Sequence, residues 1–311
     1  MKNKLSSILF SIGILILIFS GLLYFFNTQT KQDPATTHSE LLETNSNNIG
    51  IGMYDENNRI IDNGSTLEVS NGIIHSRLSL THSINNKREY KIIALNNFIQ
   101  TPFKVNGEQY TSYDLQTNAN ETIDINISHT TNENTKEVDY LFIKKPNFFL
   151  EEFKPEAIGS LQQIMGLRYN LNTDIMDFEM LKKDSLPPSS ILNEGPIDNV
   201  FISEKEDELN ALMVSKSGQD IYLTVGNPSN NYLQYAVIAF LDWEQVPFSD
   251  NQFIIYVGVQ PGEKKVYKLQ LPFVKTKTNY QIIAFPNPYE VSKSNYPSQS
   301  IEASIRTVIQ P

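Results

Sequence analysis

Two stretches of the chain, HSRLSLTH at 75–82 and DIYLTVGN at 220–227, alternate apolar and polar positions with a period of two. That is the pattern of a β-strand with one buried face. The runs that follow, YKIIAL at 90–95 and YAVIAF at 235–240, are apolar on both faces, as a central strand covered on both sides would be. ETIDINIS (121–128) and KKVYKLQLP (264–272) alternate again, and DYLFI (139–143) and NYQIIAF (279–285) supply one further strand in each region. Asn85-Asn86, Asn230-Asn231 and Pro261-Gly262 punctuate the runs as turn residues. Short strands of this kind, with no long helical period between them, predict antiparallel β-sandwiches.

The same order of elements occurs twice because the chain is duplicated. Residues 75–106 lie on 220–251 without a gap, at an offset of 145, and ten of the 32 positions are identical. They include Asn85/Asn230, Asn86/Asn231, Tyr90/Tyr235, Ala94/Ala239, Gln100/Gln245, Pro102/Pro247 and Phe103/Phe248. Further on, DYLFIKKPN (139–147) and NYQIIAFPN (279–287) share Tyr, Ile, Pro and Asn at an offset of 140. GLRYNL (166–171) and SIRTVI (304–309) match through Arg168 and Arg306. The repeat is too long for a solenoid unit and reads as a duplicated domain, each copy folding independently.

In strand rhythm the two regions resemble the immunoglobulin-like and fibronectin-III-like modules of bacterial surface proteins, although the chain has no cysteine and so lacks the Cys…Trp…Cys pattern. The expected fold is all-β: two tandem antiparallel, Ig-like β-sandwiches at 48–172 and 197–311. A Pro- and Ser-bearing linker at 173–196 joins them, with a short helix around DIMDFEMLKK (174–183).

The first residues set the compartment. Lys2 and Lys4 precede an uncharged apolar run from Leu5 to Phe26, long enough at about 33 Å to span a bilayer as a helix. The run exceeds the apolar region of a cleaved signal peptide and no small-x-small site follows it. Residues 1–4 are therefore expected in the cytoplasm, 5–26 in the membrane as an uncleaved anchor, and 27–47 outside as a polar spacer.

Composition then narrows the chemistry. A net charge of −10 without a basic block argues against nucleic acid. Absence of cysteine excludes disulfides, thiolate catalysis and Cys-based metal sites. His38, His75, His82 and His129 are expected on the surface or at strand ends, because His75 and His82 lie seven apart and point to opposite faces of one strand. No catalytic or nucleotide motif is present, so no metal, cofactor or enzymatic activity is expected.

Two features carry candidate binding. Trp243, the sole tryptophan, follows a buried strand where the first copy has Phe98; it either plugs the end of the sandwich or anchors a partner. Phe148, Phe149 and Phe153 lie in a segment, 146–166, whose counterpart is polar and Pro-rich; they make an apolar contact with the second domain or with another protein. The reading is a membrane-anchored extracytoplasmic protein that presents its domains to a protein partner or a cell-wall polymer. An accessory subunit of a membrane complex and a surface glycan or peptide hydrolase are the alternatives.

Overall fold

A computed structural model describes residues 48–171, 185–193, 200–206, 210–294 and 299–311. The anchor at 5–26, the spacer at 27–47 and the helix expected at 174–183 lie outside the described residues. No helix among the described residues is long and apolar enough to cross a membrane.

Each copy is a sandwich of two sheets. In the first, Asn48–Tyr54, Ile73–Ser83, Glu121–Thr130 and Phe103–Val105 form one sheet, and Met165–Leu171, Glu137–Lys144, Arg88–Asn96 and Ser112–Thr117 form the other. In the second copy, Val200–Ser203, Asp220–Gly226 and Lys264–Gln270 face Thr307–Gln310, Thr278–Pro286, Leu233–Leu241 and Ile255–Val259. Both copies add the same uncommon detail. A short strand, Thr66–Leu67 or Val214–Lys216, runs parallel to the last strand of its copy, while all the other pairings are antiparallel. Ser190–Leu192, inside the expected linker, adds an edge strand to the second copy by pairing with Lys264–Gln270.

The alternation explains where each side chain goes. Leu78, Leu80, Ile125 and Ile127 point from the alternating strands into the first core, and Leu223, Val225, Tyr267 and Leu269 do the same in the second. Tyr90, Ile92 and Ala94 face their own core, as do Tyr235, Val237 and Ala239. The intervening residues Ile93, Leu95, Ala236, Ile238 and Phe240 form a third cluster with Leu141, Ile143, Ile283 and Phe285. The strands that read as apolar on both faces are covered on the second face by each other's copy. The two sandwiches are not separate bodies: the inner sheets share a core, and residues 47–311 form one compact unit.

The strand registers also correct one alignment. Leu141 pairs with Ile93 and Ile283 pairs with Ile238, so the counterpart of Leu141 is Ile283 and the offset there is 142, not 140. Lys145 and Asn287, the residues after these strands, share a left-handed backbone at φ 47° and 50°. Across the last strands Asp139 pairs with Arg168, and Val138 and Tyr280 pair with Tyr169 and Thr307, so Arg168 and Arg306 are true counterparts.

Candidate functional site

The chemistry-bearing side chains converge on the seam between the copies. Gln100 N–H donates to Gln245 Oε1 at 2.7 Å, and Gln245 N–H donates to Gln100 Oε1 at 2.7 Å. Gln100 Nε2 donates to the Trp243 carbonyl at 3.2 Å, and Gln245 Nε2 to the Phe98 carbonyl at 2.9 Å. Since Phe98/Trp243 and Gln100/Gln245 are matched pairs, these four bonds are two bonds repeated by a local pseudo-two-fold axis.

The two arginines obey the same symmetry. Arg168, fully buried, crosses to the carbonyls of Pro286 (2.7 Å) and Gln299 (2.8 Å). Arg306, also fully buried, crosses the other way to the carbonyls of Lys145 (2.8 Å) and Lys144 (3.1 Å), with its guanidinium 4.5 Å from the Trp243 ring centre. Lys144 and Pro286 are counterparts, so each arginine caps the exit of the same strand in the opposite copy. Their charge environments differ. Arg168 is paired with Glu137 at 2.6 Å and lies 3.5 Å from Asp139, both fully buried. At the equivalent positions around Arg306 stand Asn279 and Gln281. Burial, with Glu137 adding to it, holds Asp139 well above the usual carboxylate range. Burial lowers Arg306 to about 9, so it stays protonated at neutral pH.

Trp243 is part of this seam. It is 2% exposed, its Nε1–H donates to the Pro146 carbonyl at 2.9 Å, and it packs in the shared cluster with Phe98. Neither a plug at the sandwich end nor a surface anchor, it joins the two copies. The segment at 146–166 divides. Leu150 is buried with Ile158 and Leu161 of a helix, Pro155–Gln162, against Met213 and Ile305 of the second copy. Phe149 is half-buried under the Lys277 ammonium at 4.7 Å. Phe148 and Phe153 remain 41% and 71% exposed. Phe148 also lines a cavity of about 450 Å³ with Lys87, Arg88 and Lys145.

His82 and His129 lie at strand ends, as expected, but are fully buried rather than on the surface. His82 Nε2 contacts the Asn86 carbonyl at 2.6 Å and Nδ1 the Tyr90 hydroxyl at 2.7 Å. Its counterpart Asn227 donates from Nδ2 to the Asn231 carbonyl at 2.7 Å. Different residues thus hold the same matched turn. His129 contacts Thr101 Oγ1 at 2.9 Å and Tyr140 Oη at 3.3 Å. Burial pushes its pKa from 6.5 down to about 4. Below the unfolded value, the unfolded chain takes up a proton that the folded chain refuses. Stability present above pH 6.5 therefore falls as the pH drops towards 4, by up to about 3 kcal/mol. Urea denaturation at pH 7 and pH 4.5 should show this loss. His129→Leu, which installs the residue found at Leu271 in the second copy, should remove it, while the opposing contribution of Asp139 is common to both proteins and cancels.

No protein-family profile and no curated protein matches the chain. Among solved structures, the C-terminal domain of the Streptococcus agalactiae AgI/II polypeptide BspA is similar at 9% identity over 85% of this chain and 100% of that one, with a TM-score of 0.22. The E. coli chaperone DraB is 8% identical over 84% and 95%, with a TM-score of 0.25. Red sea bream transglutaminase is 9% identical over 85% of this chain and 31% of its own length, with a TM-score of 0.22. Likeness at that level carries no argument about what this chain does.

Proposed function

We propose that the protein is a non-enzymatic binding or scaffold protein, anchored by residues 5–26 with its N-terminus in the cytoplasm. It presents the fused pair of sandwiches outside the cell to a protein partner or a cell-wall polymer. The observation that carries this reading is how the polar groups of the core are used. Glu137, Arg168 and Arg306 are buried and engaged in holding the copies together, whereas Phe148 and Phe153 are left at the surface, Phe148 beside Lys145 and Lys87. A surface hydrolase needs two carboxylates facing a substrate cleft. Glu137 and Asp139 share a strand face but are closed off against Arg168.

An exposed aromatic flanked by cations, as Phe148 is, fits an interface core with a polar rim. The expected outcome is that Phe148→Ser combined with Phe153→Ser weakens retention on purified cell wall, or on a crosslinked stoichiometric partner, at least tenfold, while the circular dichroism spectrum is unchanged. Undiminished retention by the double variant would remove these residues from the binding face. Protease added to intact cells tests the topology: digestion of residues 48–311 is expected, and their protection would place them inside.

A further inference from the structure

A cavity of the first copy, about 770 Å³ in volume, lies between the Asn85-Asn86 turn and the helix. Arg88 and Lys144 line it together with Asn48, Asn85, Ser160 and Gln163, and none of its lining residues is acidic. We propose that this cavity binds a phosphate group borne on a hydroxylated (polyol or sugar) carrier.

Lys144 is only 5% exposed, and among the described residues its ammonium makes one hydrogen bond, from Nζ to Gln163 Oε1 at 3.2 Å. Among the described residues no carboxylate pairs with Lys144 or with Arg88. A buried ammonium has three donors and is ordinarily matched by a counter-charge. Here burial, with the nearby cations Arg88 and Arg306 adding to it, lowers Lys144 to about 8. An anion seated between Arg88 and Lys144 supplies the missing charge, and the guanidinium fork with a neighbouring ammonium suits phosphate oxygens. The amides and the Ser160 hydroxyl around the pair offer both donors and acceptors, which match hydroxyl groups next to the phosphate.

The shared frame does not require these cations. Their counterparts in the second copy are Leu233 and Pro286, so the pair belongs to the first copy alone. Nor does a generally basic surface explain it, because the protein carries a net charge of −10. The rim is also held in place: His82 ties the turn through the Asn86 carbonyl and the Tyr90 hydroxyl. Asn120 Nδ2 ties it again through Asn85 Oδ1 at 2.7 Å. A preorganised rim spares the ligand the cost of ordering it.

The test is calorimetric titration of the full chain, kept in nonionic detergent, with three probes of the same chemistry: glycerol 3-phosphate, soluble poly(glycerol phosphate) and phosphatidylglycerol in mixed micelles of the same detergent. Saturable binding of any of them supports the site. The tightest probe tells whether the carrier is a free metabolite, a polymer or a lipid headgroup. Arg88→Leu and Lys144→Met should each weaken the affinity about 10- to 100-fold, as loss of a charge-assisted hydrogen bond does. Lys268→Ala, an exposed cation of the second copy, should leave it unchanged. As a second readout, bound phosphate should shift the Lys144 Nζ resonance and raise its titration midpoint. Absence of binding by all three probes, unchanged affinity in both cation variants, or equal affinity for acetate would each overturn the proposal. Phe153→Ser alone, which lies outside this cavity and the one that Phe148 shares with Arg88, should not affect the titration, so failure here is distinguishable from failure of the binding face.

Discussion

Arg168→Met should lower the stability of the fold by about 3–5 kcal/mol, because it strands Glu137 and Asp139 without a counter-charge inside the seam. It also removes the two bonds by which the first copy holds Pro286 and Gln299 of the second. Glu137 remains tied only through Oε2, which accepts the Tyr289 N–H. The second copy shows how the cost is avoided, since the positions equivalent to Glu137 and Asp139 are Asn279 and Gln281. Adding Glu137→Asn and Asp139→Gln to the arginine variant should therefore recover most of the loss. The single variant should also respond to pH in a defined direction. Carboxyls whose folded pKa is raised above the unfolded value stabilise the fold below that value and cease to do so as the pH rises through the folded pKa. Arg168→Met should thus be relatively better folded at pH 5 than at pH 7. Urea denaturation followed by circular dichroism reads both effects. A loss under about 1 kcal/mol, or an equal loss in the triple variant, would mean that the charge cluster is not what the arginine serves.

The amino-acid pattern reveals the strands but not the partners that their buried faces meet. Period-two alternation locates the strands at 73–83, 121–130, 220–226 and 264–270, because a half-buried strand must alternate. The double-sided apolar runs at 90–95 and 235–240 correctly announce burial on both faces, but a pattern of side chains does not name what covers them. The cover is the other copy, and the clue was polar. Gln100 and Gln245 are matched although turn geometry makes no demand for glutamine there; a polar identity kept in both copies beside a doubly buried strand is the mark of a self-complementary contact. Matching letters also misaligned the later strand, pairing Tyr140 with Tyr280. The register places Tyr140 opposite Ala94 and Ile282 opposite Ala239. The slip of two residues passed unnoticed because it keeps every side chain on the same face.

The helix Pro155–Gln162 was hidden for a different reason. Eight residues with a central glycine give scarcely two turns of periodicity, and only the proline at its first turn marks it. Among the binding candidates, the aromatic segment stood out as a difference between the copies. Arg88 and Lys144 did not, because single cations within strands carry no motif. Their comparison with Leu233 and Pro286 becomes informative only once the register fixes which residues correspond.

The symmetric bonds across the seam have the form of an isologous interface, in which residue i of one unit meets residue j of the other and j meets i. The copies relate as the subunits of a two-fold dimer would if joined into one chain. Fusion explains the asymmetries as well: once both halves are encoded separately, Arg168 can keep two carboxylates while Arg306 keeps amides, and one copy can acquire a pair of cations that the other lacks.

A seam of this kind predicts that the two copies unfold together. Trp243 sits at its centre, in a two-residue turn where Asp242 and Trp243 adopt φ 48° and 70°. Asn97 and Phe98 repeat the same turn at 49° and 65°. Bulky residues avoid that conformation, and it persists here because ring packing between the copies fixes it. Trp243→Ala should cost about 3–5 kcal/mol in lost burial, together with the Nε1 bond to Pro146 and the contact with Arg306. Trp243→Phe, which restores the first copy's residue, should cost roughly 1–2 kcal/mol, since it forfeits chiefly the hydrogen bond. Because the protein has a single tryptophan, its fluorescence reports the seam alone. In the unaltered protein that signal should change at the same denaturant concentration as the far-ultraviolet circular dichroism, and the calorimetric and van't Hoff enthalpies should agree. Tryptophan exposure ahead of the loss of strand signal, or two separated heat-absorption peaks, would show that the sandwiches part before they unfold and that the shared core does not bind them into one cooperative unit.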